Sequence, residues 1–167
     1  MTTAAATLVS VTILLAGSGP SPATENLAGG LCQGIPERPQ DAMIGSDFAA
    51  ASLELTGAPR EEAILNELQR GNMPPFLREL QPVRLSSIGP GGRVHEAVVF
   101  VMPDYLAVGS NEDFLRVPLG LDTAKRVARQ FGFTLPTRKM VDAIYRQSSF
   151  RLTPQPMKAG PRMRSTA

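Results

Sequence analysis

The polar residues with the best claim on chemistry stand close together in the second half of the chain. Asp104 and Tyr105 follow Pro103, and Glu112, Asp113 and Arg116 come within a dozen residues of them. Two carboxylates facing each other across a groove are the apparatus of acid/base hydrolysis of glycosidic bonds, one giving a proton while the other stays ionised. An arginine beside them can hold a ligand carboxylate through a planar two-bond fork, or can tie two loops together by gripping a carboxylate of its own chain. An aspartate after a proline is also an ordinary turn residue whose oxygens bond its own backbone, and Tyr105 is an ordinary strand residue. The residue types favour the structural roles for Asp104, Tyr105, Asp113 and Arg116.

A second group is Thr137, Arg138 and Lys139 at the start of a helical pattern, where free backbone amides and two cations could receive an anion. The competing role is simpler, since a threonine at that place caps its own helix. His95 is the only histidine and sits beside Glu96 in an extended stretch, so alternation sends the two side chains to opposite faces and they form no prebuilt pair. Cys32 is the only cysteine, which excludes an internal disulfide and a cysteine-cluster metal site. With one histidine and one cysteine, neither a metal nor a cofactor is expected. No GxSxG, phosphate loop, dinucleotide fingerprint or HExxH motif occurs.

The elements that must position these residues are legible in the apolar pattern. Val94 to Leu119 is organised as strands: Ala97–Met102 is apolar without a break, the mark of a strand covered on both faces, and turn residues separate it from Tyr105–Val108 and Phe114–Val117. Val83–Ile88 precedes them across Gly89-Pro90-Gly91-Gly92. Together these predict a four-stranded antiparallel meander. Before it, Ser46 caps a helix bearing Phe48, Ala51, Ser52 and Leu55, and Pro59 opens another that buries Ile64, Leu65 and Leu68 before Gly71. Pro75 starts one short turn. After the strands, Asp122 caps a helix ended by Gly132, and Thr137 opens a last one with Met140, Val141, Ile144, Tyr145 and Ser148 on its inner face. The predicted fold class is α+β: a helical hairpin, the meander, then two helices on one sheet face.

Outside this body the reading is compositional. Ala4–Ala16 is apolar and small, precedes Gly17, Gly19 and Pro20, and is too short to span a hydrocarbon layer of about 30 Å. It predicts a secretory signal peptide over residues 1–23, cleaved after Ala23, hence export to the periplasm or medium with no stable membrane anchor. Residues 24–42 predict a flexible leader in which Cys32 has no role, residues 43–157 a single domain, and residues 158–167 a disordered basic tail. The formal charge is +2, and Arg151, Lys158, Arg162 and Arg164 lie in a C-terminal stretch without an acid. The body before them carries a slight acidic excess, which argues against a nucleic-acid partner; no other partner is indicated.

Four blocks, DAMIGSDFA (41–49), GNMPPFLREL (71–80), VMPDYLAVGS with DFLRVPL (101–119) and LPTRKMVDAIY (135–145), resemble the N-terminal part of a group of exported bacterial proteins of unassigned function. The resemblance covers about residues 35–157. Members of that group continue beyond the equivalent of Pro154-Gln155-Pro156 with His- and Asp-bearing segments, whereas this chain ends in KAGPRMRSTA; the resemblance therefore implies a shortened version. The functional expectation is an exported binding or scaffold module that is non-catalytic or incomplete. A hydrolase acting on a cell-envelope or extracellular polymer and a non-functional fragment are the alternatives.

Overall fold

Helix α1 (Gly45–Ala51) presents Phe48 inward, and helix α2 (Gly57–Gln69) presents Ile64, Leu65 and Leu68; all four are almost fully buried. Seven residues are too few to hold a helix in water, so α1 exists through what it packs on. A computed structural model of the protein describes residues 4–5, 8–10 and 30–151. The cleavage site expected after Ala23, residues 24–29 of the leader, most of the stretch expected as an edge strand (152–157) and the basic tail lie outside them.

After α2 the chain makes one 3-10 turn at Pro75–Arg78 and enters the strands. In chain order these are β1 (Ala4–Ala5), β2 (Val9–Ser10), β3 (Gln81–Ile88), β4 (Val94–Val101), β5 (Ala107–Gly109), β6 (Phe114–Arg116) and β7 (Pro118–Leu119). The fold is α+β, but the four-stranded meander is not what forms. Two antiparallel hairpins stand apart, β3 with β4 and β5 with β6. β7 pairs with β1, and β2 takes the second edge of β4.

The reason is that a strand has only two edges. At the point where a meander would turn β5 back along β4, the edge is held by the N-terminal segment: Val9 and Ser10 lie opposite Val101 and Phe100, and the Met102 amide donates to the Leu8 carbonyl at 3.2 Å. The apolar run expected as a signal peptide thus contributes β1 and β2, and the Leu8 side chain between them is fully buried.

The apolar part of β4, from Ala97 to Val101, is covered on both faces, whereas Val94, His95 and Glu96 are exposed. Phe100 belongs to the main core with Met102, Leu106, Val108, Leu119, Phe131 and Leu8. Val99 and Val101 face the other way into a small second core with Val83 and Ala143. The helices after the sheet are α3 (Leu121–Phe131), ended by the left-handed Gly132, and α4 (Arg138–Gln147). α4 closes the second core with Ala143, Met140 and Ile144. Its inner face is therefore rotated from the expected one: Val141 and Tyr145 are exposed. The narrow surface of a two-stranded hairpin accepts one row of side chains, and the small Ala143 lets the helix approach closely along that row.

Residues 30–42 are not a loose leader. Ile35 is 5% exposed within the main core, and the Cys32 thiol packs against it half-buried. Gly71 makes room for this segment, since its φ of +80° lies in the left-handed region and a Cβ there would strike the Pro36 carbonyl.

Candidate functional site

The loop after β4 and strand β6 bring Asp104 and Arg116 together. The Arg116 Nε donates to both carboxylate oxygens, at 3.1 and 3.0 Å, and its Nη2 donates to Oδ2 at 2.5 Å. The fork raises the guanidinium's pKa further above its ordinary value, chiefly through these hydrogen bonds and despite some burial. On its other side the guanidinium lies 5.2 Å from the centre of the Phe114 ring, which meets Phe76 edge to face at 5.4 Å. Asp104 also accepts from the Tyr105 amide at 2.7 Å, and the Tyr105 side chain is left 46% exposed. Aspartate, arginine, tyrosine and phenylalanine thus make an open, nearly neutral ledge rather than a cleft.

Asp113 does different work. Its Oδ1 accepts from the Ser46 amide at 2.9 Å and its Oδ2 from the Ser46 hydroxyl at 2.6 Å, while its carbonyl accepts from the Gly45 amide at 2.9 Å. Ser46 is therefore not the cap of α1. A carboxylate from the β5–β6 turn satisfies the helix's free amides and faces the positive end of its dipole. With Asp113 committed to Ser46 and Asp104 to Arg116, the two carboxylates hold different partners and form no acid/base pair with each other. Asp113→Ala is expected to cost about 1–2 kcal/mol in chemical denaturation. Asp113→Asn, which keeps an acceptor, should lose clearly less, and equal losses would contradict the capping role. Glu112 is exposed, and its amide donates to the Ser110 hydroxyl at 3.3 Å.

The structure gives weight to two arginines that sequence reasoning passed over. Arg38 Nε donates to Asn72 Oδ1 at 3.1 Å and to the Gly109 carbonyl at 3.0 Å, while its Nη2 donates to the carbonyls of Ala42 at 2.8 Å and Met43 at 3.1 Å. Asn72, fully buried, also donates to Met43 and to the buried Glu67. Arg78 reaches the carbonyls of Pro36 at 2.5 Å and Gly71 at 3.3 Å, and burial lowers its pKa. Both bind residues 30–43 to the body. No residue pattern reveals them, because their partners are mainly main-chain carbonyls.

The other candidates fall into ordinary places. Thr137 Oγ1 accepts from the Met140 amide at 3.4 Å, so the threonine caps its own helix, with Arg138 and Lys139 exposed beside it. His95 is exposed on β4 beside Gly89 at the hairpin end. Burial pushes the Cys32 thiol above its ordinary pKa, and it donates to the Arg78 carbonyl at 3.4 Å; such a thiol stays protonated and unreactive at neutral pH. An open depression of about 270 Å³ is lined by Lys125, Ala128, Arg129, Phe133, Thr134 and Leu135, and none of the candidate residues lines it. Among the described residues no His, Cys, Asp and Glu cluster suited to a metal occurs, and no helix is long and apolar enough to cross a membrane. Comparison with protein families, with curated proteins and with solved structures finds no match to the chain.

Proposed function

We propose that the chain is an exported binding or scaffold module whose contact surface is the ledge of Asp104, Tyr105, Phe114 and Arg116. The observation that carries this reading is the separate commitment of the two carboxylates, Asp104 to Arg116 and Asp113 to Ser46. Acid/base hydrolysis needs both groups turned toward one bond, whereas binding needs only an accessible surface with fixed polar groups. Exposed tyrosine and a guanidinium lying over an aromatic ring suit a polymer with sugar rings and carboxylates. The small-residue apolar run at the N-terminus and the resemblance to exported bacterial proteins support export to the cell envelope or medium.

The test is co-sedimentation of the exported protein with purified peptidoglycan sacculi. Wild type should sediment saturably, and Tyr105→Ala with Arg116→Ala should weaken binding about tenfold or more. Because the ion pair is half-exposed, Arg116→Ala should cost under about 1 kcal/mol of stability, so lost binding is not lost folding. Release of soluble fragments that Asp104→Asn abolishes would replace this reading with a hydrolase. An absence of sedimentation would reject the polymer-binding surface.

A further inference from the structure

The N-terminal segment sits in the fold as a docked strand. β1 pairs with β7 through Ala4 opposite Leu119 and Ala5 opposite Pro118, and β2 pairs with the end of β4. Between them Leu8 fills a wholly buried place in the main core, and its carbonyl accepts from Met102. No charged side chain occurs in residues 2–16, so the segment can make no side-chain ion pair with the body. Among the described residues β2 covers Phe100 and Val101 of that edge of β4. Among the described residues the rest of the edge, back to Val94, has no strand partner, although β3 pairs the opposite edge along its full length. Val94 and, across the hairpin, Ile88 leave their side chains 60% and 75% exposed. A strand edge that seats an added segment beside an apolar socket is the arrangement through which extended peptides add to a sheet.

We propose that the position held by Ala4–Ala5 and Leu8–Ser10 is an acceptor slot for an extended apolar strand of another polypeptide, with a leucine entering the Leu8 socket and backbone pairing along β4. The inference rests on the export reading: cleavage after Ala23 detaches the segment covalently, leaving the socket and the edges of β4 and β7 to a partner's strand. Before cleavage the chain's own segment fills the slot and shields these edges from association.

The experiment uses the full chain carrying a protease recognition sequence between Pro22 and Ala23. After cutting, a fluorescent peptide of residues 2–12 is added and its uptake followed by anisotropy. The cut protein should take up the peptide saturably and release its own segment. The same peptide with Leu8→Asp should bind at least about 100-fold more weakly, the scale expected for losing a buried leucine and placing a charge in its socket. The uncut chain should take up little. Two results overturn the slot: a cut protein that holds its own segment and admits no peptide, or equal uptake of the Leu8→Asp peptide. The export reading fails separately, if N-terminal sequencing of protein recovered from a bacterial host shows an uncut start. Because the protease supplies the cut, the peptide experiment stands whichever way that sequencing falls.

Discussion

Arg38→Met is expected to lower the unfolding free energy by about 3 kcal/mol, more than any substitution on the exposed ledge. Methionine keeps the length and the apolar stem of the side chain, so packing changes little. What disappears is the donor set. The carbonyls of Ala42, Met43 and Gly109 and the side-chain oxygen of Asn72 lose their guanidinium partner together. Each unsatisfied buried acceptor costs about 1 kcal/mol or more, and water can reach only part of the set because Arg38 is itself half-buried. Urea unfolding measures the loss. Arg38→Lys should recover only a fraction, since one ammonium cannot cover acceptors spread around a planar fork. A loss under about 1 kcal/mol would mean that Ile35, its apolar neighbours and Arg78 hold residues 30–43 without help from Arg38.

The second large effect is at Gly109, where Gly109→Ala should cost about 4 kcal/mol or more. Its φ of +129° is one that residues with a Cβ rarely adopt, and the added Cβ would collide with the Asp113 carbonyl and the Gly45 amide. Both struck groups are main-chain atoms, and they are the atoms that hold the β5–β6 turn onto α1. No rotamer change relieves the overlap, so the hairpin and the helix must separate. Gly91→Ala is the control: φ is +78° there, but nothing lies within 4 Å of the added Cβ, and the cost should be about 1 kcal/mol. Equal denaturation midpoints for the two variants would show that crowding at Gly109 contributes nothing.

These positions also show where sequence reading stops. Ala97–Met102 disclosed its double burial because both faces of that stretch are apolar, and that survives in the structure as Phe100 in one core and Val99 in the other. Helix positions followed from Phe48, Ile64, Leu65 and Leu68, whose spacing has one reading. The tie between Asp104 and Arg116 was visible as one of few charge pairings possible across a short turn. Strand pairing was not visible, because a strand pattern states which face is apolar and is silent on which edge is occupied. Leu8 escaped for a related reason: its neighbours have the composition of an export signal, and apolar residues read alike whether they serve a translocation step or a core. The exposed faces of Val141 and Tyr145 were misassigned because α4 carries apolar residues over more of its circumference than the narrow hairpin can cover.

The cap that Asp113 places on α1 joins residues 67 apart in sequence. A seven-residue helix gains no lasting population in the unfolded chain, and here its amides are satisfied by a turn synthesised long after it. This early helix therefore cannot be among the first to form. Its order of appearance follows the β5–β6 turn, and a ribosome-bound chain that has not yet emerged past Asp113 carries α1 as unstructured polypeptide. Such long loop closure slows folding, so the N-terminal half of the body waits on the C-terminal half.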